Sequence, residues 1–302
     1  MTVVIAFVAN LLVAIAKTAV AVITGSASMM AEAAHSWADA GNEIFLLIAD
    51  RRSARSRDQR HPLGHGREAY VWSMFAAVGI FTAGAVFSVT HGIHELSNPA
   101  PVESAHIAFI TLGIAFILEG VSFTQAIIQA RKQARKAGTS VLRLVLRTSD
   151  TTLRAVVAED FAALTGLIIA AASIWAHEHT GNAMWDALGS IVVGVLLGVV
   201  ALVLIDRNRH FLVGASSSAK NRTRVGRALQ QHPKVSRVTY LHLEYVGPGR
   251  LFLVAEVDLE GDDPEEEVAR RLRRIERELE AHESIETAVL SLSVSDEASL
   301  EF

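Results

Sequence analysis

Ionisable side chains interrupt an apolar stretch at residues 28–49. His35 and Asp39 are four residues apart, so in a helix they share one face, which Glu43 extends by a further turn. Burying such groups in hydrocarbon is costly, so they normally face a partner or a cavity. Imidazole and carboxylate groups are suitable ligands for Zn²⁺, but a polar contact between helices explains the same pattern. The spacing alone leaves both interpretations open.

Two adjacent acidic residues, Glu159 and Asp160, stand in another apolar stretch. A purely structural interpretation would supply Lys17 or Arg154 as their counter-ion, although for Lys17 snorkelling or an interhelical hydrogen bond is the simpler prediction. Acidic pairs deep in an apolar helix more often mark a cation site. We therefore expect this pair to face a cation pathway.

A third group of possible ligands, Asp58, His61 and His65, lies in a polar segment after the first of these stretches. Spacings of three and four residues fit a metal site where a loop meets a helix. The spacing by itself favours the simpler interpretation, an ordinary polar loop.

The elements that would carry these residues are apolar helices. A transmembrane helix needs about 20 apolar residues. Six such runs are predicted, at residues 2–24, 28–49, 70–94, 105–129, 153–175 and 185–205. Lys and Arg gather after the second, fourth and sixth runs and are missing from the other connections. The positive-inside rule therefore predicts that both chain ends are cytoplasmic.

Composition supports two domains. The chain has 302 residues, of which 51% are hydrophobic and 20% charged, and the charges concentrate after Arg207. We predict a transmembrane domain at 1–206 and a cytoplasmic domain at 207–302. The formal net charge of -4 gives no reason to expect nucleic acid as a partner, and the absence of cysteine excludes disulfides and thiolate ligands.

The second domain is predicted to be α+β. A helix near 220–231 precedes two strands, 235–246 and 250–260, which Gly247-Pro248-Gly249 joins as a hairpin. Asp262, Asp263 and Pro264 then begin a charged helix, and a strand follows at 287–295. The order α-β-β-α-β predicts a small, ferredoxin-like sheet with helices on one face.

Three segments together resemble the cation diffusion facilitator family: TGSASMMAEAAHSWADAGNE, RHPLGHGREAYVWSMFA and WDALGSIVVGVLLG. The resemblance covers the whole chain, including six spans, cytoplasmic ends and the C-terminal domain. It implies export of Zn²⁺ or a related divalent ion by proton antiport, in a homodimer whose cytoplasmic domains pair. The Glu-Asp pair followed by AALTG resembles the branch that includes the mitochondrial zinc transporter of animals.

Carried over by position, the resemblance implies a transport site of two ligands on the second span and two on the fifth. His35, Asp39 and Asp160 occupy three of these positions, and the fourth holds Val156, which cannot bind a metal. Glu159 lies about 100° around the helix from Asp160. Water, Glu43 or a rotated Glu159 are the alternatives for completing the coordination.

The resemblance also implies that Asp58, His61 and His65 are a loop metal site. Zinc-bridged family members use several histidines in the C-terminal domain, whereas this one has His232, His242 and His282, with Glu256 near an expected ligand position. We therefore expect dimerisation through the fold, without a full binuclear site.

Taken together, the sequence predicts a zinc/proton antiporter that alternates access around His35, Asp39 and Asp160, in a bacterial inner membrane or an organelle, with the bacterial membrane preferred. Mn²⁺, Fe²⁺ or Cd²⁺ as substrate, or a metal-sensing membrane scaffold without transport, are the alternatives. No nucleophile motif, phosphate loop or cofactor fingerprint is present, so neither an enzyme nor a bound cofactor is expected.

Overall fold

A computed structural model describes residues 2–99, 102–261 and 263–302 of the chain. It divides into two compact units. One contains the residues up to Ala49 together with Val71–Arg209, and the other contains Asp50–Tyr70 together with His210–Phe302. The boundary near Arg209 lies close to the one we expected at 206/207. The segment Asp50–Tyr70, which we assigned to the first domain, belongs to the second unit.

The first unit is built from long helices. Two short elements interrupt the pattern. A π-helical stretch at Ile80–Val86 connects α3 to α4, and α6, which follows the long helix α5, has only seven residues. The helices are α1 (Thr2–Thr24), α2 (Ala27–Ser53), α3 (Glu68–Gly79), α4 (Phe87–Ser97), α5 (Ala105–Ala137), α6 (Val141–Arg147), α7 (Thr151–Thr180) and α8 (Met184–Leu212).

Four helices are long and apolar enough to cross a membrane: Glu68–Ser97, Ala105–Ala137, Thr151–Thr180 and Met184–Leu212. In α1 the described apolar part, Asn10–Thr24, is shorter, and α2 does not reach the same apolarity. α2 is less apolar because it contains ionisable side chains, among them His35, Asp39 and Glu43. The structure thus supports a helical membrane domain, while the prediction of six spans is not confirmed.

Large apolar side chains cover the outside of this unit. Leu12, Ile117, Ile168 and Leu202 are each more than half exposed. Water would disfavour an apolar surface of this extent, whereas lipid would not. The interior instead packs small residues, with Ala162, Ala170 and Ala201 fully or almost fully buried. Small side chains let membrane helices approach closely. The protein is therefore a membrane protein.

Local sequence sets the ends of α7, the helix that carries Glu159 and Asp160. The Asp150 side chain accepts a hydrogen bond from the Leu153 backbone N–H at 3.0 Å, which caps the first turn. At the other end Gly181 takes a left-handed conformation with φ of 65° and ends the helix.

The second unit confirms the predicted order α-β-β-α-β. Its elements are α9 (Ala219–Gln230), β1 (Val235–Gly247), β2 (Arg250–Leu259), α10 (Glu265–Glu280) and β3 (Ile285–Leu292). β1 and β2 form the predicted antiparallel hairpin, and β3 pairs with β2 in parallel. The helix begins at Glu265, and Asp262 lies outside the described residues.

Alternate residues of the strands form the core of this sheet. Val238, Leu253 and Ala255 are fully buried, and Leu229 of α9 and Ile275 of α10 pack against them. Period-two burial along β2 is the pattern expected of a sheet with one covered face.

Candidate functional site

The loop group is already assembled in the second unit. The ligand atoms of Asp58, His61 and His65 all lie within 4.8 Å of one another, and the two imidazole rings are 4.0 Å apart between centroids. The Asp58 carboxylate lies 3.1 Å from His61 Nδ1 and 3.2 Å from His65 Nε2. Two imidazoles and one carboxylate supply three of the four ligands that Zn²⁺ takes. This geometry fits a metal ion.

Backbone hydrogen bonds prepare the carboxylate of this group. The His61 N–H donates to Asp58 Oδ1 at 2.7 Å, and the Arg60 N–H donates to the same oxygen at 2.8 Å. The His61 backbone bond, followed by the His61 and His65 side chains and the Arg60 N–H, lowers the pKa of Asp58 to about 2 despite some desolvation. The carboxylate is therefore ionised, as a metal ligand must be, over the whole physiological range.

The rest of the second unit holds this loop in place. Arg57 donates to Glu280 Oε2 at 3.3 Å and to Thr287 Oγ1 at 3.2 Å. Gly66 lies against the Val246–Gly247 backbone so closely that a Cβ added at Gly66 would be 2.5 Å from the Val246 carbonyl oxygen. The metal loop is thus part of the α+β unit rather than a free connection.

In the membrane unit, His35 and Asp39 of α2 form the predicted pair. His35 Nε2 lies 3.5 Å from Asp39 Oδ2, and the two side chains are 1% and 18% exposed. Neither ring nitrogen of His35 makes a hydrogen bond, and neither does the buried Oδ1 of Asp39. Buried polar atoms without a partner are uncommon and call for an explanation. A cation that these atoms could bind is one such explanation.

The two acidic residues of α7 face different neighbours. Glu159 Oε2 accepts a short hydrogen bond from the Asn42 amide of α2, whereas Asp160 Oδ2 accepts from Ser122 Oγ of α5 at 2.8 Å. Asp39 is close enough to both acids for their charges to interact. The acid of α7 that hydrogen-bonds to α2 is therefore Glu159, the neighbour of the residue we expected there.

The ligand atoms of His35, Asp39 and Asp160 do not all lie within 4.8 Å of one another. Among the residues that the structure describes, Asp58, His61 and His65 are the one group of three that meets this distance. Val156, at the position where the resemblance implies a fourth ligand, packs in an apolar cluster with Phe123, Leu144 and other residues of α5 and α6.

Glu43, the other candidate for completing the coordination, is partly engaged. Its Oε1 accepts from Asn10 Nδ2 of α1 at 2.7 Å, and its buried Oε2 makes no hydrogen bond. Asn10 thus links α1 to α2 through Glu43.

Lys17 makes the interhelical hydrogen bond that was one of the two simpler predictions for it. Its Nζ lies 3.1 Å from Glu32 Oε2, with side-chain exposures of 1% and 0%. Neither snorkelling nor pairing with the α7 acids describes it. A buried lysine needs an acid, and Glu32, one turn before His35, was the sequence signal for this pair.

Sequence reasoning missed Asp186, which is 2% exposed at the start of α8. Its carboxylate accepts hydrogen bonds from the Ala27 N–H at 2.5 Å, the Ser28 N–H at 3.3 Å and Ser26 Oγ at 2.9 Å. It therefore caps the first turn of α2 from another helix, where a negative charge is favoured. In the sequence, the only indication of this role was a single acidic residue at the start of a highly apolar helix.

The histidines of the second unit are dispersed. His232 Nε2 lies 3.1 Å from Glu278 Oε2, and His242 Nε2 lies 3.6 Å from Glu244 Oε2. His282 lines a separate cleft beside α9. Within the ranges the structure describes, these histidines form no set of three ligands.

Comparisons with known proteins agree with this architecture. Residues 3–213 match the family described as the cation efflux transmembrane domain. The chain is 39% identical over 233 residues to "Metal tolerance protein C4" of Arabidopsis thaliana, covering 77% of this chain and 51% of that protein. It is 38% identical over 240 residues to "Proton-coupled zinc antiporter SLC30A9, mitochondrial" of Xenopus laevis, covering 80% and 43%. It is 26% identical over 241 residues to "Cation-efflux pump FieF" of Shewanella oneidensis, covering 79% and 75%.

The chain spans about half the length of the first two of these relatives. A relative named as mitochondrial gives no support to our expectation of a bacterial inner membrane. The expectation of a transporter rather than an enzyme is confirmed, because the matching family is one of cation efflux proteins. The matched range and these identities show that the chain belongs to the cation diffusion facilitator family, in the branch that resembles the SLC30A9 zinc antiporters.

Proposed function

We propose that this chain exports a divalent metal ion, with Zn²⁺ as the substrate, in exchange for protons. The observation that carries the proposal is the pair of the buried His35 and the partly buried Asp39, whose ring nitrogens and Oδ1 make no hydrogen bond. Asp160 adds negative charge near Asp39. A dehydrated divalent ion requires such charge, and metal ligands must lose their protons to bind it, which couples metal entry to proton release.

The transport cycle that we propose alternates access to this site through a six-span domain, with both chain ends in the cytoplasm and two copies paired through the α+β unit. Support for six spans comes from two further helices, α1 and α2, beside the four that are long and apolar enough. Support for pairing through the fold comes from the dispersed histidines of the second unit. The loop group would act as a separate metal site outside the membrane.

The test is zinc-driven proton movement in proteoliposomes that contain a pH-sensitive dye. Asp39→Asn and Asp160→Asn should each nearly abolish the signal, because an amide cannot supply the negative charge of a carboxylate. The control is Asp206→Asn, which changes an exposed acid at the end of α8. Strong exchange by the Asp160→Asn protein would contradict the assignment of that residue.

Oxygen-rich coordination favours a second substrate class, Mn²⁺ or Fe²⁺, since carboxylates prefer harder ions. A selectivity series in the same vesicles, with Cd²⁺ included, separates these ions. His35→Asp should shift the preference from Zn²⁺ toward Mn²⁺. Metal binding without any flux would instead indicate a sensing scaffold.

A further inference from the structure

Asn42 and Glu159 are candidates for the fourth ligand of the transport site, which Val156 cannot supply. Asn42 lies seven residues after His35 and three after Asp39, so the three side chains share one face of α2. Asn42 is 2% exposed and Glu159 is 9% exposed. Their contact joins α2 and α7 beside the His35–Asp39 pair.

The hydrogen bond shows the orientation of the amide. Asn42 presents its NH₂ group to Glu159 Oε2, which accepts the hydrogen bond. This leaves the Asn42 carbonyl oxygen turned away from that bond, and Asn42 Oδ1 makes no hydrogen bond although it is buried. Glu159 Oε1 is also buried without a partner.

A buried oxygen without a hydrogen-bond partner is unfavourable, so a protein rarely keeps two of them in one contact without a use. Both oxygens are strong ligands for a divalent cation. The unpartnered atoms of His35 and Asp39 lie on the same helix face. Val156, by contrast, packs among apolar side chains.

We propose that Asn42 and Glu159 complete the transport site, with Glu159 Oε1 and Asn42 Oδ1 as oxygen ligands and the Asn42 amide holding the Glu159 carboxylate toward α2. This inference rests on the proposed function and assigns its missing ligand. One imidazole among several oxygens makes the site harder than a histidine-rich one, so Asn42 also influences which metal is selected.

The experiment measures Zn²⁺ binding by calorimetry on the full chain in detergent, in a background that carries His61→Ala and His65→Ala so that the loop does not contribute. Asn42→Leu should weaken binding by about tenfold to 100-fold, the usual effect of removing a group that orients or supplements a metal ligand. Asn42→Asp retains an oxygen ligand and should restore binding to within about threefold, with Mn²⁺ gaining relative to Zn²⁺.

Asn98→Leu is the matched control, since it removes an exposed amide at the end of α4 and should leave Zn²⁺ affinity unchanged. If Asn42→Leu does not yield folded protein, Glu159→Gln keeps the shape and the hydrogen bond and should weaken binding by about tenfold or more. The inference is overturned if Asn42→Leu or Glu159→Gln binds Zn²⁺ as tightly as the parent protein that carries only His61→Ala and His65→Ala. If that parent protein neither binds nor transports Zn²⁺, the proposed function itself is overturned.

Discussion

The buried ion pair between Lys17 and Glu32 yields a quantitative prediction about stability. Its atoms are 3.1 Å apart and the two side chains are 1% and 0% exposed. Lys17→Met keeps the length of the side chain but leaves the Glu32 carboxylate without its cation. Removing one partner of a buried pair costs about 3–5 kcal/mol, because the remaining charge has no compensation.

The double variant Lys17→Met/Glu32→Gln leaves no charge behind and should recover most of that loss. We expect a coupling energy of at least about 2 kcal/mol from the double-mutant cycle, within the range known for residues in contact. The assay is unfolding in mixed detergent micelles followed by tryptophan fluorescence. Lys136→Met, which removes an exposed lysine in the last turn of α5, is the control and should change stability by less than about 0.5 kcal/mol.

The same carboxylate can be tested from α7. A Cβ at Gly166 would lie 2.4 Å from Glu32 Oε1, so Gly166→Ala must displace the carboxylate. Overpacking of this kind costs about 1–3 kcal/mol, and the cost should shrink when Glu32 is already Gln and free of Lys17. Additive effects, with a coupling energy below about 0.5 kcal/mol in the Lys17–Glu32 cycle, would refute the view that this pair is a coupled unit.

Four further outcomes are expected. Removing His61 and His65 together should lower the metal bound per chain, measured by atomic spectroscopy on purified protein, while helical circular dichroism stays unchanged. The pKa of Asp58 is lowered to about 2 in the folded loop. The stability that the ionised carboxylate adds is therefore complete above its unfolded-state pKa near 4, and it is lost as the pH falls through about 2. Amide exchange in the loop should accordingly rise only below about pH 4. Asp186→Ala leaves N–H groups of the α2 first turn without their acceptor and should destabilise the protein by about 1–3 kcal/mol in the micelle assay, with Asp206→Ala as the control. In detergent the full chain should stay dimeric by light scattering after chelator treatment, and a monomer that dimerises only with Zn²⁺ would show that the histidines of the α+β unit bridge the copies.

Much of the architecture was readable from local patterns. The hairpin at Gly247–Gly249 and the order of strands and helices in the second unit followed from period-two alternation and turn residues, which depend on neighbours in the chain. Asp58, His61 and His65 lie within eight residues and one turn brings them together, but their spacing favoured an ordinary polar loop, and the resemblance to the family was what implied a metal site there. The His35–Asp39 pair needed only the spacing of one helical turn.

The contacts between membrane helices could not be read in this way. An apolar helix in lipid carries hydrophobic residues on all sides, so periodicity does not reveal which face meets which neighbour. Only the tertiary structure decided that Lys17 pairs with Glu32, that Asp186 caps α2 and that Glu159 rather than Asp160 contacts Asn42. The sequence determined which residue types and local spacings were present for metal chemistry, whereas the rotation and packing of helices distant in sequence decided which of those side chains meet.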